Sequence, residues 1–369
     1  MAGLLMGLTL QAESLRVFVG TYTGPKSEGI YAFSFDNDSG AVEPLGLAAK
    51  ATNPSFLAVS PDQRFLYSVN EEGQWKGQPG GYLTAFAIPA KGAALKELNQ
   101  QSSGGAAPCH LSVDATGRNV LAANYGGGSV VSLPVNSDGS LRPSSAFIQH
   151  TGSSVNSSRQ KEPHAHSINL SPDNTLAFAA DLGADKIFVY RFDAGTGALM
   201  GNDPAAVGLA PGSGPRHFAC APDGRHAFVI NEMLSTLTSF SVESPRGVLT
   251  EVQTVSTLPS EFQGQSSTAQ VCVHPNGKFV YGSNRGDDSI AVFSIAPNGK
   301  LQFVERVSTQ GKTPRNFNLD PSGRFLWAAN QSSDSIVLFR VDPATGRLTA
   351  QGKPLLVGSP VCVVFVRGT

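Results

Sequence analysis

Two sets of positions in the 369-residue chain bring together side chains able to move protons and hold anions. The first set reads Ser55 and Phe56, Cys109 and His110, His166 and Ser167, Arg216 and His217, Ala269 and Gln270, Arg315 and Asn316; each pair follows a recurring Pro, Ala or Thr. The second reads Glu71, Tyr125, Leu182, Glu232, Arg285 and Gln331, each following an Asn or Asp. An imidazole titrates near neutral pH and can take a proton from water. Guanidinium groups present forked donors that suit carboxylate, phosphate or a developing oxyanion. A carboxylate among them can pair with arginine or orient a histidine, and as a base it needs a raised pKa. A repeated scaffold has no use for such groups at positions that vary, so their gathering marks an ionisable cleft and the default site.

What gathers them is a repeat. An anchor, usually Pro-Asp or Pro-x-Gly, begins at Pro61, Ala115, Pro172, Pro222, Pro275 and Pro321. Nine residues after each stands Asn70, Asn124, Asp181, Asn231, Asn284 or Asn330, and seven before each stands Pro54, Pro108, Ala165, Pro215, Thr268 or Pro314. Apolar alternation between these marks reads as strands, with tight turns at Asp223-Gly224, Asn276-Gly277 and Ser322-Gly323. Further apolar runs, Tyr82–Ile88 and Ile290–Phe293 among them, supply third strands, and fourth strands follow Gly-containing turns. Four-stranded units at this spacing predict an all-β, seven-bladed propeller. The seventh unit is split: Pro360–Phe365 reads as an innermost strand whose partners are Val17–Thr21 and Gly29–Phe35, so strands from both termini close the ring. Two β-sandwiches, the competing all-β arrangement, do not explain six equal registers. The repeated Asn residues are expected to satisfy backbone groups at strand ends.

Composition narrows the partners. With 27 basic and 28 acidic residues the net charge is −1, which favours neither nucleic acid nor an anionic membrane. No stretch approaches the ~20 apolar residues that span a bilayer. Cys109, Cys220, Cys272 and Cys362 lack metal or redox spacing and read as small buried hydrophobes. His164 and His166 alone are a weak metal signal, so no metal is expected. His150, His226 and His274 fall at strand ends or turns and are expected to be solvated. Residues 1–14 read either as a signal remnant, from the apolar run Leu4–Leu10, or as a disordered tail; residues 15–369 form one propeller domain. The compartment is accordingly cytoplasmic, or exported if that run is a signal. The expected assembly is a monomer or a weak homo-oligomer.

The segments Pro163–Ser167, Gly214–Phe218, Val229–Glu232, Ser283–Gly286, Thr313–Phe317 and Ala328–Gln331, with Phe18–Thr23 and Ala123–Gly127, resemble the motifs of the lactonase-type seven-bladed propellers. That family includes the propeller form of 6-phosphogluconolactonase and the carboxymuconate cyclases, and the resemblance spans Val17 to Val366. It implies a cofactor-independent lactone hydrolase acting on a small, anionic lactone, with His166, Arg216, Glu232 and Arg285 as the catalytic group. His166 would be the base and the arginines would stabilise charge. His217, Arg315, Gln331, Tyr125 and His164 are candidate substrate contacts, although His164 also reads as a residue that orients its loop. The chain departs from the family at Gln270, where an acidic residue is usual, and at Asp287, where His is usual. A lactonising enzyme of the carboxymuconate type, a hydrolase of another lactone, and a non-catalytic binding propeller are the alternatives.

Overall fold

The computed structural model describes residues 14–367. The short apolar run near the start of the chain therefore lies outside the described residues. Seven antiparallel four-stranded sheets follow one another, each with its strands in chain order from the axis outward except the first. Blade 1 is built from both ends: Pro360–Arg367 is innermost, then Ser14–Thr21, Gly29–Asp36 and Val42–Lys50. Leu15 pairs with Arg367 and Val19 with Val363, so the last strand is stitched to the first described one. This is the closure anticipated from the sequence. Blades 2 to 7 begin with the innermost strands Leu57–Val59, Pro108–Val113, Ala165–Leu170, Pro215–Cys220, Ser267–Val273 and Pro314–Leu319. A two-stranded ribbon, Gln74–Trp75 with Gln78–Pro79, is inserted after the second strand of blade 2.

Apolar side chains of each blade pack mainly against the neighbouring blade, and the core consists of seven clusters, one per interface. At the closing interface Trp327 of blade 7 is wholly buried against Phe33, Phe35 and Phe365 of blade 1. The repeated amides act largely as expected. The Nδ2 groups of Asn70, Asn124, Asn284 and Asn330 donate to the carbonyls of Thr52, Ser103, Thr257 and Thr309, tying second strands to the chain that leaves the preceding fourth strand or loop. Asn231 differs and donates to Thr236 and Thr238.

Three histidines correct the sequence reading. His150, His226 and His274 are buried rather than solvated. His150 donates from Nδ1 to Asp181 (2.7 Å) and accepts from the Tyr190 hydroxyl at Nε2 (2.8 Å). His226 pairs with Asp223 at 3.0 Å, and His274 donates to the carbonyl of Gly323. Each spans a turn or blade boundary where a compact polar side chain completes a bond that solvent would otherwise supply.

One further feature positions the site. The pairing of the first two strands slips where the innermost strand begins in blades 3 to 7. In blade 5 Pro215 opposes Asn231 and His217 opposes Ile230, which leaves Arg216 as the extra residue of a bulge. Cys109, His166 and Arg315 occupy the same extra position in blades 3, 4 and 7. A bulge breaks the strict alternation of side chains and re-aims the residue it adds.

The closing interface provides a test of the packing. Trp327→Ala is expected to lower the urea unfolding free energy by about 3–5 kcal/mol, the range for emptying a buried aromatic site. A loss below about 1 kcal/mol, a surface-like effect, would mean that this interface does not hold the ring shut.

Candidate active site

Residues that follow a second-strand Asn, Glu71, Tyr125, Glu232 and Arg285, and the bulged residues His166, Arg216 and Arg315 meet at one end of the axis. Glu232 is the centre of this group. Its backbone N–H donates to the carbonyl of Gly214 (2.7 Å), and Gly214 takes a positive φ of 63° to make that turn. A side chain at Gly214 would also press on Met233. Glu232 Oε2 accepts from Arg216 Nε at 3.0 Å and forms an ion pair with Arg285 Nη2 at 2.9 Å, and Oε1 accepts from Arg159 Nη2 at 2.8 Å. Burial pushes the carboxyl up, but Arg285, Arg216 and Arg159 outweigh it and bring the pKa down to about 2. Glu232 is thus an anion at any physiological pH.

The arginines are held as firmly. Arg216 is buried; its Nη1 donates to the carbonyl of Ala269 (2.7 Å) and to His217 Nε2 (3.1 Å). Burial first, then Arg285 and Arg315, lowers its pKa to about 9, so it remains charged near neutrality. Arg285 Nη2 also donates to the carbonyl of Thr268. Arg159 shares its Nη2 with the Tyr125 hydroxyl (2.9 Å) and is 43% exposed, the most open of the three.

Aromatic and imidazole rings fill the axis beside this cluster. His217 donates from Nδ1 to Gln270 Oε1, which leaves Nε2 to accept from Arg216. The His217 ring lies 5.3 Å from His110, 5.4 Å from His166 and 5.7 Å from Phe56. His166 sits 5.1 Å from the Tyr125 ring, with Nδ1 3.5 Å from the Cys109 sulfur. Its Nε2 is 3.9 Å from Glu232 Oε2, beyond hydrogen-bond length. Burial and the field of Arg216 hold His166 and His217 well below the ordinary histidine range, and lower His110 to about 3. All three rings are therefore neutral near pH 7. On the side of this plug where the innermost strands end, a cavity of about 650 Å³ continues, lined by Phe56, His110, His217 and Gln270 and by strand residues.

Across the mouth, blades 7, 1 and 2 supply a second cluster. Arg315 Nη2 donates to the Tyr22 hydroxyl (2.7 Å), which donates to Glu71 Oε2 (2.8 Å), and Ser55 Oγ donates to the same oxygen (2.5 Å). Arg315 also lies over the Tyr22 ring at 5.2 Å. The two clusters sense each other: Arg315 contributes to the lowered pKa of both His166 and Arg216. Together they set four guanidinium groups against two carboxylates.

The family model described as lactonase, seven-bladed β-propeller matches residues 16–365. The chain belongs to this lactonase family. It is 39% identical over 351 residues to a 6-phosphogluconolactonase of Bacillus subtilis, covering 95% of this chain and 97% of that one. A 6-phosphogluconolactonase of Formosa agariphila is 36% identical over 309 residues, covering 82% and 86%. Among solved structures, the periplasmic gluconolactonase of Pseudomonas aeruginosa superposes with a TM-score of 0.89 at 38% identity, over 96% of this chain and 100% of that one.

In this lactonase-family propeller the four residues His166, Arg216, Glu232 and Arg285 come together, as do Tyr125, His164 and His217 around them. Arg315 faces them from the second cluster. His164 is stacked on Tyr125 at 4.6 Å and donates to its carbonyl, so it braces the loop and the tyrosine at once. Gln331 begins a short 3₁₀ turn, where its N–H donates to the carbonyl of Thr313, and its side chain joins neither cluster. Gln270 lines the axis as the partner of His217, whereas Asp287 turns away to Ser289 and Arg306.

Two site residues escaped the sequence reading. Arg159 rides on the loop of residues 150–164, outside the repeat, where the buried Gln160 beside it anchors the loop by donating to the carbonyl of Leu182. Tyr22 follows a strand of the split blade, which lacks the Asn or Asp mark of the other six. The run Phe18–Thr23 in the family resemblance was the available signal for Tyr22.

Neutral buried histidines are expected to make the fold acid-labile. For His110 the folded pKa is depressed below the unfolded value, so its stability contribution is complete above about pH 6.5 and is lost as pH falls toward 3. His110→Gln, which keeps an acceptor for the Ile168 N–H, should reduce the loss of unfolding free energy between pH 7 and 5 by about 1–2 kcal/mol. Urea titrations at the two pH values measure this; identical losses in both proteins would show that His110 takes up no proton on unfolding.

Proposed function

We propose that this protein hydrolyses a sugar lactone, most directly 6-phospho-D-glucono-1,5-lactone, at the mouth described above. The observation that carries the reading is the charge count there. Four arginines face two carboxylates around neutral histidines, an excess of two positive charges that complements a phosphate monoester dianion. The relatives named 6-phosphogluconolactonase support the same substrate.

The chemistry needs a water beside the lactone carbonyl, an acceptor for its proton, and positive charge where the tetrahedral oxyanion forms. His166 suits the acceptor role. Its Nδ1–H is directed at the Cys109 sulfur, whose own proton goes to the His166 carbonyl oxygen (3.4 Å), and Nε2 keeps its lone pair for the mouth. Glu232 is poorly suited to be the base, because three guanidinium groups hold its charge. It aligns those groups instead. Arg216 has three of its five N–H donors committed and acts mainly as a fixed charge, while Arg285 and Arg159 each keep free donors for the oxyanion or phosphate. When the ring opens, the proton held on His166 returns to the leaving hydroxyl, and no cofactor enters the balance.

A second reading has specific support: the periplasmic gluconolactonase neighbour points to the unphosphorylated lactone and to export. The phosphorylated substrate goes instead with the cytoplasm. Among the described residues no helix is long and apolar enough to cross a membrane. The two readings share one site and differ in the anion.

Freshly generated 6-phosphogluconolactone distinguishes them. The wild type is expected to consume it above the spontaneous rate. His166→Ala should lower kcat about 10²–10⁴-fold, the usual contribution of a positioned base, and Arg285→Ala should raise KM and lower kcat together. Turnover of glucono-1,5-lactone alone would move the assignment to the unphosphorylated substrate. No turnover of either would retire both sugar lactones as substrates.

A further inference from the structure

The second cluster has a chemistry of its own. Glu71 and Arg315 occupy the same places in blades 2 and 7 that Glu232 and Arg216 occupy in blade 5: one residue after the locked Asn, and one after the Pro that begins the innermost strand. Yet the two clusters are charged differently. Around Glu232 three guanidinium groups meet one carboxylate. Around Glu71 one guanidinium meets one carboxylate, and they meet through a phenol rather than directly. The Tyr22 hydroxyl passes a donor chain from Arg315 to Glu71, and Ser55 adds a second donor to the same Oε2. Glu71 Oε1 receives no hydrogen bond among the described residues, and Arg315 keeps Nε and Nη1 unused. A charge-balanced cluster with one open carboxylate oxygen and several open guanidinium N–H groups has little attraction for a dianion. It matches adjacent hydroxyl groups, which donate to a carboxylate oxygen and accept from a guanidinium.

We propose that Tyr22, Ser55, Glu71 and Arg315 form a polyol subsite that grips the hydroxyl groups of the substrate, while the Glu232–arginine cluster across the mouth takes its anionic end. The inference rests on the lactonase reading and adds an orientation to it. The sugar lies across the axis, from blades 7, 1 and 2 to blades 4, 5 and 6, with its ring carbonyl over His166. Arg315 and His166 are the bulged residues at the start of the innermost strands of blades 7 and 4, so a ligand held at the second cluster extends across the mouth toward the base. Tyr22 positions Arg315 and Glu71 and makes the subsite one rigid unit. The alternative, that Arg315 and Tyr22 hold the phosphate, would place a dianion against Glu71.

The test compares kcat/KM for glucono-1,5-lactone with that for δ-valerolactone, which has the same ring and no hydroxyl groups, in the wild type, Glu71→Gln and Tyr22→Phe. Circular dichroism confirms folding of these near-isosteric variants. The preference for the hydroxylated lactone is expected to fall about tenfold or more in each variant, since a site built to bond hydroxyls discriminates strongly by them. Equal losses on both lactones would overturn the subsite, because they would mark a structural role only. Inhibition by inorganic phosphate should weaken less than threefold in Tyr22→Phe; a loss above tenfold would place the anion at Arg315 and overturn the orientation. If the wild type opened neither of these unphosphorylated lactones, the lactonase reading would still be judged by 6-phosphogluconolactone. Calorimetry with D-gluconate and 5-hydroxypentanoate would then decide the subsite, with Tyr22→Phe expected to weaken gluconate selectively and an equal change in both ligands overturning it.

Discussion

Everything at the mouth of this propeller is arranged around one carboxylate. Three guanidinium groups from two blades and a loop converge on Glu232, and each of its oxygens accepts at least one charged donor. Positive groups placed this close, and buried to this extent, repel one another and lose hydration; the single anion offsets both. The consequences run outward. Arg216 is fixed, so it can steady His217, whose other nitrogen finds Gln270. Burial, reinforced by the charge of Arg216 and Arg315, keeps His166 neutral, and Arg159 ties the long loop over the mouth to Tyr125. The account of catalysis follows from that field: a neutral imidazole and unused arginine donors face a space that attracts anions.

The fold makes such a convergence possible at little strain. Each blade spends its apolar faces on its neighbours, so the axis is free for polar groups, and the final strand joins the first described one to abolish the open edge. Bulges at the start of innermost strands then turn an extra side chain into the mouth. Without them Arg216 and His217 would point to opposite faces of the sheet, and the blade could supply only one of the two. The same scaffold therefore yields a triple-arginine cluster on one side and a balanced tyrosine-bridged cluster on the other.

Much of this was legible in the sequence. Apolar alternation, turn residues and the recurring Pro and Asn marks gave the blades, their order and the split blade 1, because backbone hydrogen bonding repeats the same solution in each unit. The mouth residues were legible too, since His166, Arg216, Glu232 and Arg285 stand at repeat positions where the scaffold has no need of them. Their partners were harder to read. Glu232 could equally have oriented His166, and only the geometry puts the imidazole 3.9 Å away and the arginines within 3.0 Å. Arg159 belongs to a loop without period, and Tyr22 gains its role from residues on two other blades. His150, His226 and His274 looked solvated because turns usually are, yet each ring is buried and completes a polar bond.

The urea unfolding free energy of Glu232→Gln at pH 7 puts the role of this carboxylate to the test. Glutamine keeps the shape and removes the charge, leaving three arginines at the mouth without their common anion. A loss of about 3–5 kcal/mol is expected, the penalty for breaking a buried ion pair by removing one partner. A variant as stable as the wild type would contradict it, and would mean that the arginines are held by the fold rather than by Glu232.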